Sequence, residues 1–395
     1  MSFKTSLFYL PSIGSRAEIE QGMAGLREDL YQRMLAELRE QAQLADELDY
    51  DSISFTEHHF HIEGFEISNN PVLLDLFVAL QTKRIRVGQL GIVLPAQNPL
   101  RVAEDIAMLD HMSGGRANAG FARGYQRRWV DIMAQQMHGI HGATPWEHDE
   151  IDAANREAFE EHFQIVKRAW TEDMVTFEGK YWQIPPAGTP WTLDATRQWG
   201  AGVEDGMVKA IGVVPRPLQK PHPPIFQPFA SSERTIRWCA REGVTAILPP
   251  MHQGLQDELY RVYEDEAATC GRELETGEGL GLLRDLVIAE SEDEALELWA
   301  QGPAFCGAAW FSPFGFGSGL AEPGRTESLT PQDLLERNLI LVGTVDSVSR
   351  QIESLLESTP MRWLFAWTYN GLIPHGRLMR SLEAFGRIVL PRFAA

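Results

Sequence analysis

Asp51-Ser52-Ile53-Ser54-Phe55-Thr56-Glu57-His58-His59-Phe60-His61 is the stretch on which the fold reading turns. Asp51 to Phe55 reads as a short buried strand, and Glu57-His58-His59 as the loop that leaves its C-terminal end. Three histidines and a carboxylate at such an end lie where a (β/α)8 barrel keeps its chemistry.

The flanks support that reading. Upstream, Phe3 to Leu10 is β-rich and stops at Pro11. Between the two strands, Leu30, Met34, Leu38, Ala42 and Ala45 recur at helical spacing and give an amphipathic helix over about Arg27–Leu48. Downstream, Asn70-Pro71 opens a second helix, with Asn as cap and Pro in the first position. Ile85 to Val93 is a near-continuous apolar run, as expected of a parallel strand covered on both faces. Pro99 to Met112 is helical and ends at Ser113-Gly114-Gly115, and Arg116 to Phe121 is a fourth strand.

The rhythm then breaks. Residues 125–150 read as a long loop, 155–170 as a helix, 175–184 as a hairpin turning at Glu178-Gly179-Lys180, and 185–224 as irregular. It resumes with strands at 225–229, 244–248 and 280–290, each followed by a helix. A Gly/Phe/Pro-rich insertion at 302–330 precedes helices at 331–341 and 347–357. The eighth strand is expected at 362–367 and the last helix at 378–390. The expectation is therefore an α/β chain forming one (β/α)8 TIM barrel over 1–395. Its insertions, after strands 4 and 7, span roughly 125–155, 172–224 and 302–345. An open doubly wound sheet with a second domain competes, but no GxGxxG follows the first strand.

Composition narrows the function classes. The 395 residues carry a net charge of −20, which argues against nucleic acid and anionic membranes as partners. The three cysteines, Cys239, Cys270 and Cys306, show no CxxC or metal-ligand spacing, and a reduced cytoplasmic compartment fits them. Neither a signal-peptide h-region nor an apolar run long enough to cross a membrane is present in the sequence.

Four ordered segments together resemble the bacterial luciferase-like monooxygenase family. They are Glu57-His58-His59-Phe60; Val87 to Pro95; Ala103 to Asp110 through Gly115-Arg116; and Gly120-Phe121-Ala122-Arg123-Gly124. Pro221 to Ile225 leading to Ala230-Ser231-Ser232 adds to the likeness, which is dense over 45–125 and thin after 270. The resemblance implies a barrel that takes reduced FMN from a separate flavin reductase. It implies that O2 then gives a flavin C4a-peroxide that oxygenates a small organic substrate, and that two copies pair as a homodimer. The aromatic-rich insertions point to an apolar substrate such as an aldehyde, a ketone or a polycyclic metabolite.

The resemblance also assigns residues. His58 becomes the catalytic histidine, suited to trading protons near neutral pH, with His59 orienting it or lining the pocket. Glu57 and a cis peptide at Leu90-Gly91 meet the flavin ring. Arg123, Gly124 and Tyr125, with Ala230, Ser231, Ser232 and Thr235, bind the cofactor's phosphate end. Bland readings stand beside these: a loop histidine bonded to a carbonyl, a barrel-mouth carboxylate paired with arginine, a glycine bending a strand, and serines that only cap a helix. Two positions depart from the luciferases, which carry a glutamate at Ser231 and a reactive cysteine at Ala122. Trp310, Phe311, Phe314 and Phe316 form either an aromatic lid or a satellite cluster. Trp363, Trp367 and Tyr369 either reach the pocket or fill barrel layers.

Three alternatives remain, one of them a non-catalytic flavin-binding relative in which no substrate pocket forms. The same barrel can use coenzyme F420 as a hydride carrier. From another class, a metal-dependent hydrolase would use His58, His59 and His61. No metal site is assigned, because neighbours such as His58 and His59 on an extended loop point apart.

Overall fold

A computed structural model of the chain describes residues 3–135, 137, 139–144, 149–325, 328–369 and 371–393. Parts of the predicted insertions, residues 136, 138, 145–148, 326 and 327, lie outside the described residues. Spatial contacts divide the chain into two compact units, Met1–Ile92 with Ile225–Ala395, and Val93–Pro224.

Eight strands recur along the chain: β1 (Lys4–Tyr9), β2 (Ser52–Phe55), β3 (Arg86–Gln89), β4 (Ala117–Ala122), β5 (Ile225–Gln227), β6 (Thr245–Leu248), β7 (Leu280–Ile288) and β8 (Trp363–Thr368). The main helices between and after them are α1 (Glu28–Glu47), α2 (Pro71–Gln81), α3 (Pro99–Met112), α4 (Glu150–Thr171), α5 (Glu233–Glu242), α6 (Gln253–Thr269), α7 (Glu292–Trp299), α8 (Val345–Ser358) and α9 (His375–Ala384). This is the (β/α)8 barrel alternation that the sequence predicts.

In the first unit the spatial order is β5-β6-β7-β8-β1-β2-β3, and each neighbouring pair is parallel. Last strand therefore lies against first, with Phe8 level with Trp367. Alternation puts Trp363, Phe365 and Trp367 on one face of β8. The ring of Phe226 on β5 meets Trp363 and Phe365 edge-on at 5.3 and 5.9 Å, so this face fills the barrel. On α1, Leu30, Met34, Leu38, Ala42 and Ala45 are all buried, matching the predicted stripe. Asn70 caps α2 by accepting from the Leu73 N–H, with Pro71 in the first position.

The second unit has its own core. Phe121 of β4 meets Phe163 of α4 edge-on at 6.0 Å, and the Trp170 indole donates to the Ala103 carbonyl of α3. His162 donates from Nδ1 to the Leu94 carbonyl at 2.7 Å and accepts at Nε2 from the Trp182 indole at 2.9 Å. The predicted hairpin is present as Phe177–Glu178 against Gln183–Ile184.

Four stretches differ from the sequence expectation. A short helix, Arg127–Met133, stands within the expected loop, because Trp129 and Val130 bury against Val93 and Ala96. Residues 185–224 hold a turn of helix at Asp194–Trp199 and a small antiparallel ladder, Val203–Glu204 with Met207–Val208. The helix expected over 331–341 stops at Glu336, because Leu341–Gly343 pairs with the end of β7 instead. The 302–330 insertion continues α7 through π-helical turns at Ala300–Ala304 and Gly307–Phe311. Among the described residues no helix is long and apolar enough to cross a membrane.

Candidate active site

The loop after β2 is folded back on itself. Ser68 donates from its hydroxyl to the Thr56 carbonyl at 2.6 Å, the two hydroxyls lie 3.1 Å apart, and the His58 N–H donates to the Ser68 carbonyl at 3.1 Å. Phe60 and Glu66 turn the chain with φ of +63° and +50°. The result buries four ionisable side chains together: Glu57, His58, His61 and Glu66 are 2, 7, 4 and 1% exposed.

Glu66 is the group that the sequence reading missed. Its Oε1 lies 3.3 Å from His58 Nε2 and its Oε2 3.4 Å from His61 Nδ1, which also sits 3.0 Å from the Phe65 carbonyl. His59 takes a different partner, Glu57, at 3.0 Å. The histidines therefore divide, with His58 and His61 sharing one carboxylate and His59 holding another. This corrects the grouping of His58, His59 and His61 as one trio. Burial, then the neighbouring His61 and His59, pushes the His58 imidazole well below its ordinary value of 6.5. It is a neutral base at neutral pH.

The peptide bond between Leu90 and Gly91 is cis, as the resemblance implies, and the Leu90 N–H donates to the Phe55 carbonyl at the end of β2.

The 300–314 segment joins this loop. The Trp310 indole donates to Glu66 Oε2 at 2.6 Å, its ring stacks on Phe65 at 5.2 Å, and it meets His61 edge-on at 4.9 Å. Phe311 packs on Trp367 at 5.2 Å, and Phe316 on Phe229 at 5.6 Å. The aromatic insertion is thus bound to the histidine loop and to the end of β8.

At that end, Trp367 also touches Phe8, Phe229 and Tyr369, and its buried indole N–H has no partner among the described residues. Asp285, level with Trp367 on β7, accepts from the Tyr369 hydroxyl at 2.9 Å and the Trp299 indole at 2.8 Å. Burial raises the Asp285 carboxyl above the ordinary carboxylate range. Nothing in the local pattern of β7 singled Asp285 out. The signal was its place one strand across from Trp367.

The predicted phosphate residues fall in both units. In the first, Ser232 caps α5, accepting from the Thr235 N–H at 3.3 Å and donating to the Thr235 hydroxyl at 3.0 Å; Ser231 beside it is half-buried, and Ala230 is buried. In the second, Arg123 pairs with Asp152 at 2.5 Å, and the Tyr125 hydroxyl accepts from Gln126 Nε2 at 2.8 Å. Gly124 has φ of +78°, and a Cβ there would meet Val93 Cγ1 at 2.5 Å. Capping and ion pairing are therefore real roles of Ser232 and Arg123.

Comparison with known proteins adds the following. The family described as luciferase-like monooxygenase matches residues 19–362. The oxygenase component of the flavin-dependent trigonelline monooxygenase of Acinetobacter baylyi is 25% identical over 379 residues, 93% of this chain and 91% of that one. Among solved structures, the oxygenating constituent of 3,6-diketocamphane monooxygenase of Pseudomonas putida is a type II Baeyer–Villiger monooxygenase in complex with FMN. It shares the fold at a TM-score of 0.76 and 22% identity over 99% of both chains. The coenzyme F420-dependent tetrahydromethanopterin reductase of Methanopyrus kandleri does so at 0.63 and 17% over 100% of both.

Proposed function

The chain belongs to the luciferase-like monooxygenase family, and we propose that it is the oxygenase of a two-component system, working with reduced FMN, O2 and an apolar organic substrate. The observation that carries this reading is the buried, neutral His58 set against Glu66 at the end of β2, next to the cis Leu90–Gly91 peptide.

The donor set suits a flavin. Glu57, Leu90 and Gly91 would meet the ring, and the partnerless Trp367 indole is a spare donor at the same barrel end. Ser231, Ser232 and Thr235 at the start of α5, beside Ala230, offer hydroxyls and helix N-terminal amides to a phosphate, and for Arg123, Gly124 and Tyr125 of the second unit the cofactor role is the one the family likeness gives. Reduced FMN, when bound, supplies the activation of O2. The chain's own work is to place the ring, exclude water and move protons. His58 accepts a proton as a neutral base and returns it, Glu66 stabilises its charged form, and His59 is held by Glu57.

The aromatic cluster of Phe229, Phe311, Phe316 and Trp367 at the end of β8 supports an apolar substrate such as an aldehyde, a ketone or a polycyclic metabolite. The trigonelline relative, named as an oxygenase component, supports a separate flavin reductase as partner. A cytoplasmic homodimer completes the proposal.

F420-dependent hydride transfer is the second reading, favoured by the tetrahydromethanopterin reductase likeness. Anaerobic titration with reduced FMN and with F420, followed by admission of air, separates the two. Tight reduced-FMN binding with an O2-dependent absorbance transient is expected. F420 binding with no such transient overturns the oxygenase reading. His58→Ala should keep flavin binding and lose oxygenation; normal turnover by that variant removes the role given to His58.

A further inference from the structure

We propose that His58, His61 and Glu66 form a site for a divalent transition-metal ion of the zinc type, and that occupancy switches the enzyme off. The three ligand atoms lie within 4.8 Å of one another and all three residues are buried. Tetrahedral zinc with bonds of about 2.0–2.1 Å sets neighbouring donors about 3.3–3.4 Å apart. His58 Nε2 lies 3.3 Å from Glu66 Oε1 and His61 Nδ1 3.4 Å from Glu66 Oε2, so each nitrogen faces a different carboxylate oxygen and the carboxylate would take the ion with both.

The surroundings fit an ion as well as the donors do. Ligating carboxylates are usually held by an outer donor, and the Trp310 indole already occupies that role at 2.6 Å. His61 Nδ1 faces both the carboxylate and the Phe65 carbonyl, so a cation there meets two oxygens. Binding moves the His61 ring proton from Nδ1 to Nε2. Two imidazoles with one carboxylate leave further coordination positions open, which suits zinc, cobalt(II) or nickel(II). His59, tied to Glu57, takes no part.

The site goes beyond the oxygenase reading but shares one residue with it. A metal on His58 Nε2 moves the ring proton that faces Glu66 to Nδ1, so both ring nitrogens are occupied and no lone pair is left for proton transfer; the ion is an inhibitor, not a cofactor.

The test is titration of the tag-free, full-length, chelator-treated protein with Co2+ and Zn2+. One Co2+ per chain is expected, with the visible absorbance of a low-symmetry site, displaced by Zn2+ and reversed by EDTA. Glu66→Gln and His61→Gln should each weaken binding by about 100-fold, and Trp310→Phe by about tenfold. Zn2+ should abolish turnover of the unsubstituted enzyme at stoichiometric amounts. Absence of stoichiometric Co2+ uptake overturns the proposal, as does uptake that neither ligand substitution weakens. If Glu66→Gln does not fold, as judged by circular dichroism, His61→Gln alone decides. The cobalt signal needs no flavin, and reduced-FMN binding is read separately. Failure of the metal site and failure of the oxygenase reading are therefore distinct results.

Discussion

Trp310→Phe tests whether the aromatic insertion is fastened to the histidine loop by a charged hydrogen bond. The substitution keeps an aromatic ring where Trp310 stacks on Phe65 at 5.2 Å. It deletes the indole N–H that donates to Glu66 Oε2 at 2.6 Å, on a carboxylate only 1% exposed. A hydrogen bond to a charged group contributes about 1.5–3 kcal/mol, and one between neutral groups about 0.5–1.5 kcal/mol. The same deletion in a Glu66→Gln background removes only a neutral bond. Trp310→Phe should therefore destabilise the parent by about 2 kcal/mol and the Glu66→Gln variant by about 1 kcal/mol, a coupling of about 1 kcal/mol. Urea unfolding of the four proteins gives the cycle. Hydrogen exchange over residues 300–311 shows whether the loss is local opening of the insertion. Equal losses in both backgrounds, or a parent loss under about 0.5 kcal/mol, refute the reasoning.

Three more outcomes are expected. Burial lowers the His58 and His162 imidazoles below 6.5, so the unfolded chain takes up these protons first as pH falls. Stability should then be level above about pH 6.5 and fall below it, by up to about 1.4 kcal/mol per pH unit per histidine; a urea midpoint unchanged between about pH 7.5 and 5.5 contradicts this. Gly124→Ala places a Cβ 2.5 Å from Val93 Cγ1 at φ +78° and should lower stability by about 2–5 kcal/mol, with a melting curve as the check. Trp182→Phe leaves the buried His162 Nε2 without its indole donor and should lose about 1–3 kcal/mol in urea unfolding, a loss that His162→Phe in the same protein should largely absorb.

What the sequence revealed was local. The α1 stripe and the Asn70 and Ser232 caps depend on spacing or on one residue's chemistry. The order of strands and helices followed from the same periodicities, and the resemblance supplied the cis peptide at Leu90–Gly91. What stayed hidden was set by distant partners. Glu66 looks like one more loop acid until the chain folds back through Ser68 and Thr56 and brings it under His58. Asp285 gains its meaning from Tyr369 and Trp299, which the chain places 84 and 14 residues away. The helix after Thr330 ended early because β7 offered Leu341–Gly343 an edge, a competition that no local propensity records. Gly302 and Pro303 disguised the continuation of α7, since both read as helix breakers, yet the chain carries them within a π-helical turn.

One carboxylate serves two masters in this chain. Glu66 accepts from the insertion's tryptophan on one oxygen and faces His58 with the other. Specificity and chemistry are therefore not separable modules here. A lineage that exchanged the 300–314 segment for another, to admit a different substrate, would in the same step alter the electrostatics of its proposed proton carrier. Residues 66 and 310 should accordingly be inherited as a pair, and transplanting the insertion into a sister enzyme should succeed only when its acid travels with it.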